Sequence, residues 1–301
     1  MHLLIPFAAP GSEAGRQALA HLALPNLAAL LRGEPERDDG DASGLSPPHE
    51  RALARALGLA GADGALPWGA WGATQAGLDT ADHAWGQLTP CHWHVATDQV
   101  SLLDPDELQL DEAEARALLD AVHPLFVGDG LVLLYGTPTR WFVAHESLRE
   151  LPLASPDRVI GRNLDPWLPR SVRWWRRLQN EVQMAWHEHP VNEARQARGL
   201  PPVNSLWLSG CGPAQPAVWP AGLVVDERLR RPALAEDWGA WMAAWQALDA
   251  GPVAALAGRR AQLTLCGESS SAAWTLVPPS AWQRFKARWT RIDPRAVLET
   301  L

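Results

Sequence analysis

The segment Leu178 to Gly212 reads LQNEVQMAWHEHPVNEARQARGLPPVNSLWLSGCG, with amides, imidazoles and an arginine placed among apolar residues. Pro190 removes a backbone donor and disfavours helical geometry at His189, so a first helix is expected to end there. A short second helix is expected to end at Gly199. The apolar run after Pro202 predicts a buried strand that closes in a glycine loop.

Several side chains of this segment are candidate ligand contacts. On a helix, Asn180, Gln183 and His187 fall at i, i+3 and i+7, so they share one face within about 60° of arc. Two interpretations stay open. The polar groups are either a buried scaffold in which they satisfy one another, or the lining of a crevice of the kind where open α/β sheets bind ligands. The candidates are Asn180, Gln183, His187, Asn192, Arg195, Asn204 and Trp207.

The rest of the chain predicts further α/β and α+β elements. Early strands and helices are expected at 3–7, 13–22, 25–31 and 49–57, the last of these capped by Ser46. The acidic stretch 34–44 is expected to be a solvated linker, and 58–86 an irregular connection. Asp111 is expected to cap a helix at 111–122 in a capping box with Glu114. Strands are expected at 91–97, 130–135 and 140–144.

Three stretches resemble the archaeal-type cofactor-independent phosphoglycerate mutases. HPVNEARQARGLPPVNSLWLSGCG (189–212) is similar to that family's central signature, 85–122 to the start of its inserted domain, and IGRNLDP (160–166) also has a family-like pattern. The resemblance implies an α/β, alkaline-phosphatase-like three-layer sandwich with a small α+β inserted module. The core is then expected at 1–85 and 158–301, with the inserted module at 86–157.

The whole chain also resembles a bacterial group described as phosphoglycerate-mutase-like or RpfE-type regulatory proteins. The shared marks are LPNL (24–27), SPPHERALA (46–54) and NEVQM (180–184). This second resemblance implies a regulatory role.

The mutase resemblance implies two metal ions held by Asp and His, with a Ser or Thr that takes the phosphoryl group. Here the first strand, HLLIPF (2–7), ends without the Asp-Gly of the superfamily, and no histidine follows His189. His92 and His94 share a strand face, so both could bind one metal ion, but a histidine pair without nearby carboxylates is a weak indication of a metal site. The weak metal candidates are Asp82, His83, His92 and His94. No cofactor is therefore expected, with Mn²⁺ or Zn²⁺ required only if the protein transfers phosphoryl groups.

A basic segment at 158–177 interleaves arginines with tryptophans. Arg170, Arg173 and Arg177 are expected to share a helical face. Such a segment is either a solvated surface or an anion or partner site. Because the resemblance implies a phosphorylated ancestral substrate, Arg162 and Arg195 are the preferred contacts to phosphate or carboxylate, and Asn163 is a further candidate ligand contact. The arginines are Arg158, Arg162, Arg170, Arg173, Arg176 and Arg177.

Tryptophan is abundant, with 17 residues in the chain. Two stripes at helical spacing predict core packing rather than ligand stacking. They are Trp238, Trp241 and Trp245, and Trp282, Phe285 and Trp289.

Composition indicates a folded protein, since 301 residues with 47% hydrophobic and 20% charged residues can bury a sizeable core. The net charge of −8 argues against a generic nucleic-acid binder. Three widely spaced cysteines, no signal peptide and no apolar stretch of membrane-spanning length predict a cytoplasmic protein with reduced thiols.

Three functional hypotheses remain. The favoured one is a non-catalytic, metal-free descendant of the mutase fold with a regulatory or ligand-sensing role, binding a small anionic ligand or a protein partner. The second is a metal-dependent phosphotransferase or phosphatase. The third is a nucleic-acid or protein partner module that uses 158–177, although nucleic acid is not an expected partner. The oligomeric state stays open.

Overall fold

The computed structural model describes residues 1–80, 83–97, 99–278 and 292–301. The chain divides into two compact units. Unit 1 comprises Met1–Gly58 and Val218–Leu301, and unit 2 comprises Leu59–Ala217. The module expected at 86–157 lies within the range of unit 2, and its boundaries stay a prediction.

Unit 1 is built on a five-stranded mixed sheet. Its strands are β1 (His2–Ile5), β2 (Glu36–Asp38), β9 (Leu223–Val225), β10 (Ala261–Cys266) and β11 (Ser271–Leu276), in the spatial order β2-β11-β10-β1-β9. Strand β1 pairs in parallel with both β9 and β10, whereas β11 is antiparallel to β10 and to β2. The carboxyl ends of the three parallel strands therefore lie at one edge of the sheet.

Helices cover this sheet and contribute its core. They are α1 (Glu13–Ala20), α2 (Pro25–Leu30), α3 (Pro48–Leu57), α9 (Arg230–Leu234), α10 (Trp238–Leu248) and α11 (Pro294–Leu298). Trp241 and Trp245 are fully buried, and their indole N–H groups donate to the backbone oxygens of Phe7 and Ala8 at 3.0 and 3.1 Å. Core packing is thus confirmed for the first tryptophan stripe, in which Trp238 packs against the same cluster. The second stripe, Trp282 to Trp289, lies outside the described residues.

Unit 2 contains a four-stranded antiparallel sheet in the order β6-β7-β3-β8. Its strands are β3 (Ala84–Cys91), β6 (Val132–Thr137), β7 (Arg140–Ala144) and β8 (Ser205–Pro213), and β4 (Trp93–Val95) pairs with β5 (Val100–Leu102) in a separate ribbon. The helices are α4 (Trp68–Gln75), α5 (Glu112–Gly128), α6 (Pro156–Val159), α7 (Arg173–His187) and α8 (Pro190–Ala197). The fold of the chain is therefore mixed α/β, as expected.

Several local predictions were wrong in instructive ways. The strand expected at 91–97 is divided, because β3 ends at Cys91 and β4 begins at Trp93 in another sheet. The irregular connection expected at 58–86 contains α4 and the start of β3. Helix α3 begins at Pro48, with Pro47 rather than Ser46 at the N-cap position. The supposed linker 34–44 contributes β2 to the edge of the sheet in unit 1.

The predicted cap of α5 is confirmed in part. The Asp111 side chain accepts a hydrogen bond from the backbone N–H of Glu114 at 2.8 Å. The carboxylate of Glu114, however, pairs with Arg195 and Arg198, so its side chain is committed to two cations in addition to any role in the cap. None of the described helices has both the length and the hydropathy needed to cross a membrane.

Candidate functional site

The signature segment folds as its sequence predicts, into α7, α8 and β8. Strand β8 is the last strand of its sheet, so one of its edges needs hydrogen-bond partners other than a strand. Helix α7 supplies one such partner and one contact to a side chain of the strand. Nε2 of Gln179 donates to the backbone oxygen of Leu206 at 2.7 Å, and Nε2 of Gln183 donates to Oγ of Ser205 at 3.2 Å. The two glutamines therefore attach the helix to the edge strand.

Two asparagine side chains pair with the backbone in the way that a neighbouring strand would. The Asn192 amide accepts from the N–H of Val203 and donates to its C=O, both at 2.8 Å, and also donates to the backbone oxygen of Trp186. The Asn204 amide accepts from the N–H of Trp93 at 2.7 Å and donates to its C=O at 3.0 Å. Both candidates thus connect backbone segments that approach β8.

Arg195 is fully buried, with 0% exposure. Its Nε donates to the backbone oxygen of Pro201 at 3.0 Å, Nη1 donates to the Glu114 carboxylate, and Nη2 donates to the backbone oxygen of Leu108. Glu114 also pairs with the more exposed Arg198. An anion would have to displace Glu114 to reach the Arg195 guanidinium, and the anion-binding role of Arg195 stays a prediction.

The three α7 residues expected to converge do not share one environment. Asn180 and His187 are exposed, and only the half-buried Gln183 contacts β8. The buried polar residue on this helix is Gln179, which the sequence analysis missed. The sequence contains a pattern that indicates this role, because Gln179 and Gln183 are four residues apart and so lie on one helical face.

The family-like stretch before α7 is arranged differently from the signature. Arg162 is half-buried and Asn163 is exposed, and Oδ1 of Asn163 accepts from the N–H of Asp165 at 3.1 Å. Asn163 therefore stabilises a local turn. Contact of either residue with a ligand stays a prediction.

The arginines around the start of α7 do not form one uniform surface. Arg170 precedes the helix, so the prediction that it shares a helical face with Arg173 and Arg177 is wrong. Arg177 pairs with Asp129 at 2.6 Å and with Glu181 at 3.1 Å. Exposed ion pairs of this kind are typical of a solvated surface.

The histidine candidates for a metal site are partly occupied by other contacts. Nδ1 of His92 lies 2.8 Å from the backbone oxygen of Pro202, and the rings of His92 and His94 are 6.3 Å apart. Burial lowers the pKa of His92, and the nearby His94 and Arg195 lower it further, while the hydrogen bond to Pro202 opposes this shift.

The remaining metal candidates do not complete a ligand set. His83 is exposed, and Asp82 lies outside the described residues. Within the described ranges, no three His, Cys, Asp or Glu side chains form a group that could hold a metal ion.

The carboxyl edge of the unit 1 sheet is where an α/β fold would be expected to hold ligands. The chain leaves β1 through Phe7, which has a φ of 54° and whose ring lies 5.0 Å from that of His49. Asp226 follows β9, and its carboxylate accepts from Arg228 at 2.9 and 2.7 Å, which lowers its pKa. The described residues at this edge form no group of three His, Cys, Asp or Glu side chains that could hold a metal ion, whereas two divalent ions need several anionic or imidazole ligands.

A cleft beside the signature is lined mainly by apolar and aromatic side chains, and we call it the tryptophan cleft. The space that includes its open mouth is about 230 Å³, and the part enclosed by the lining side chains has room for about one water molecule. The predicted ligand contact Trp207 lines it, with its indole N–H donating to the backbone oxygen of Ala154 at 2.8 Å. Gln179 reaches the same cleft. The lining residues are Leu153, Ala154, Trp167, Leu168, Pro169, Trp175, Gln179, Trp207 and Leu208.

Comparison with known proteins gives limited matches, and no family model matches the chain. The 2,3-bisphosphoglycerate-independent phosphoglycerate mutase of Methanothrix thermoacetophila is 31% identical over 81 residues, which are 26% of this chain and 21% of that protein. The match thus spans about a fifth of the relative's length.

Two solved structures align with most of the chain at 13% identity. For the cofactor-independent phosphoglycerate mutase from Thermoplasma acidophilum, the alignment covers 99% of this chain and 98% of that chain, with a TM-score of 0.33. For the PH0037 protein from Pyrococcus horikoshii, it covers 91% and 87%, with a TM-score of 0.43.

Proposed function

We propose that this protein is a non-catalytic binding protein on a phosphoglycerate-mutase-like fold. The observation that carries the proposal is the state of Arg195. Each of its three guanidinium nitrogens already donates to an acceptor within the protein, and the charge is paired with Glu114. Asn192 is committed to backbone groups in the same way. The residues that the resemblance assigns to an anionic substrate therefore serve as internal scaffold.

The carboxyl edge of the unit 1 sheet supports the same proposal. The position after β1, where the resemblance implies a metal-binding carboxylate, is followed by Phe7 packed against His49. The carboxylate after β9 is that of Asp226, which is neutralised by Arg228. We therefore derive no phosphoryl-transfer step for this chain. We also propose that this binding protein has a regulatory role, as the resemblance to the RpfE-type group implies.

The tryptophan cleft is the proposed ligand site. Indole faces bury apolar surface and stack on planar groups. The enclosed part of the cleft has room for about one water molecule, so a larger ligand binds only if the lining side chains move apart.

Metal content and turnover test the non-catalytic part of the proposal. Protein purified without an affinity tag is incubated with Mn²⁺ or Zn²⁺, desalted and analysed by mass spectrometry, and then assayed with 3-phosphoglycerate and p-nitrophenyl phosphate. We expect no tightly held ion and no turnover. About two retained ions per chain together with turnover, the stoichiometry of a two-metal site, would contradict the proposal.

Ligand-observed NMR with a library of small aromatic and aliphatic acids tests the cleft. Trp167→Leu removes one wall, and Trp219→Leu, at a partly exposed tryptophan outside the cleft, is the matched control. Hits that bind wild type and Trp219→Leu but not Trp167→Leu support the cleft. Hits that bind all three proteins equally place the ligand elsewhere.

A metal-dependent phosphotransferase or phosphatase is the second candidate. The similarity over 81 residues to a phosphoglycerate mutase favours it. It would require a ligand set that includes Asp82, His83, His92 and His94. If His92→Ala and His94→Ala together leave metal uptake unchanged, this candidate loses its proposed ligands.

A further inference from the structure

Gln179 contributes a carboxamide group to the tryptophan cleft, although the residue is only 6% exposed. Its Nε2 is already engaged, because it donates to the backbone oxygen of Leu206 at 2.7 Å. Its Oε1 is a hydrogen-bond acceptor, and none of the described residues donates to it. The carboxamide is therefore satisfied on its nitrogen side alone.

A second polar group of the cleft lies one helical turn earlier. Trp175 precedes Gln179 by four residues on α7, so the two side chains share a helical face, and both line the cleft. Trp175 is 2% exposed, and no described residue accepts from its indole N–H. The indole N–H of Trp207, in contrast, is engaged by the backbone oxygen of Ala154. This face of α7 thus offers one acceptor and one donor.

Solvent reaches both of these groups. The indole nitrogens of Trp85 and Trp141 also have no partner among the described residues, and they are sealed from solvent. Oε1 of Gln179 and Nε1 of Trp175 are not sealed in this way. Because both residues are more than nine-tenths buried and line the cleft, the cleft is the route by which solvent reaches them. The acceptor and the donor therefore face the space that a ligand would enter.

We propose that the tryptophan cleft binds a small molecule with a primary carboxamide, and that Gln179 and Trp175 select this group. This inference rests on the cleft being the ligand site, as proposed above. An amide N–H of the ligand donates to Oε1 of Gln179, and the amide oxygen accepts from the indole N–H of Trp175. An aromatic or aliphatic group attached to the amide packs against the indole faces of the cleft.

A carboxylate or a phosphate does not match this arrangement. An ionised acid only accepts hydrogen bonds, so its oxygen atoms would face Oε1 of Gln179 without a proton between them. None of the lining residues carries a positive charge, so an anion would lose hydration in the cleft without gaining an ion pair. A primary amide is neutral and has the donor that the acid lacks.

The size of the cleft favours the same ligand group. Its enclosed part has room for about one water molecule, so the amide enters as the lining side chains move apart. A ligand that replaces water keeps its affinity only if it makes the hydrogen bonds that water makes there. A primary amide meets this condition, because it both donates and accepts, as water does.

Heteronuclear NMR of the indole N–H groups tests the inference with three probes of nearly the same shape. Benzamide has both a donor and an acceptor, acetophenone is neutral without the donor, and benzoate is charged without the donor. Loss of one resonance in Trp175→Phe assigns the indole N–H of Trp175. We expect benzamide to shift this resonance and to bind at least about tenfold more tightly than either of the other probes.

Two variants of α7 assign the preference to one residue. Gln179→Leu removes the acceptor. Gln183→Leu is the matched control, because Gln183 also contacts β8 but does not line the cleft. Gln179→Leu should lower the affinity for benzamide to that for acetophenone, and Gln183→Leu should keep the preference. Circular dichroism establishes that each variant is folded. If Gln179→Leu does not fold, the three probes on wild type decide.

The inference is overturned if benzamide binds wild type no more tightly than acetophenone, or if the preference survives Gln179→Leu. Equal binding of all three probes that is lost in Trp167→Leu would leave the cleft as a ligand site and remove only its selectivity for amides. If no probe shifts the Trp175 resonance, the inference also fails, and the screen with Trp167→Leu decides separately whether the cleft binds ligands.

Discussion

The signature scaffold and the tryptophan cleft both draw on α7 and β8, yet their side chains have opposite roles. In the scaffold, Asn192 and Arg195 are 2% and 0% exposed, and their polar atoms are engaged by backbone groups and by Glu114. In the cleft, Trp167 and Trp207 line a space that opens to solvent. The difference shows that a polar side chain in a signature is available to a ligand only if the protein has left its donors unpaired.

The largest effect is expected at the buried arginine of the scaffold. Arg195→Met removes a buried cation from Glu114 and leaves two backbone oxygens without their donor, so the free energy of unfolding should fall by about 3–5 kcal/mol. Arg198→Met is the matched control, because Arg198 pairs with the same carboxylate while its side chain is 52% exposed, and it should cost less than about 1 kcal/mol. Urea denaturation measures both. Equal losses would show that Arg195 is not part of a buried scaffold.

The next effect is expected at Asn192. Asn192→Ala leaves the N–H and C=O of buried Val203 without their partner and should destabilise the protein by about 2–3 kcal/mol. Asn180→Ala, at an exposed amide on α7, should change stability by less than about 0.5 kcal/mol. Thermal and urea unfolding compare the two variants. A small loss for Asn192→Ala would place its amide outside the scaffold.

Gln179 belongs to both regions, because it donates to β8 and lines the tryptophan cleft. Gln179→Leu removes the donor to the Leu206 carbonyl at the edge of β8 and should cost about 1–2 kcal/mol. Gln183→Leu removes a hydrogen bond at a half-buried position to a serine hydroxyl, which can rotate to another partner, and should cost less. If the order of the two losses is reversed, the main attachment of α7 to β8 is through Gln183.

The smallest effect is expected from His92, beside the scaffold. Its pKa is lowered in the folded protein, so on acidification the unfolded chain takes up the proton first. Stability contributed by neutral His92 should be complete above the unfolded pKa of about 6.5 and be lost as the pH falls through the lower folded pKa. Because the ring is half-buried, we expect less than about 1 kcal/mol.

His92→Gln tests this dependence. The difference in unfolding free energy between wild type and variant, measured from pH 7.5 to pH 5, should shrink as the pH falls. His2, whose pKa is also lowered by burial and by the N-terminal charge, is present in both proteins and cancels in that difference. A difference that does not change with pH would show that His92 does not titrate in this way.

Prediction from the sequence succeeded where local rules are strong. Pro190 and Gly199 mark the ends of α7 and α8, and Asp111 caps α5, because these residues act on backbone groups within a few positions. Prediction failed where contacts between distant parts of the chain determine the local structure. Strand β2 forms within an acidic loop because β11 provides a pairing edge, and Arg51 and Arg55 neutralise Asp38.

The α/β class, the order of helix, turn and strand in the signature, and the positions of its polar residues can all be inferred from the sequence. The roles of those polar residues depend on contacts that form only when the chain folds. Arg195 pairs with Glu114, 81 positions away in the sequence, and the amide of Asn204 hydrogen-bonds to the backbone of Trp93, 111 positions away. Whether a polar side chain has all its hydrogen bonds within the protein depends on its neighbours in the folded structure. The same residue can therefore contact a ligand or support the fold, and the local sequence does not distinguish the two.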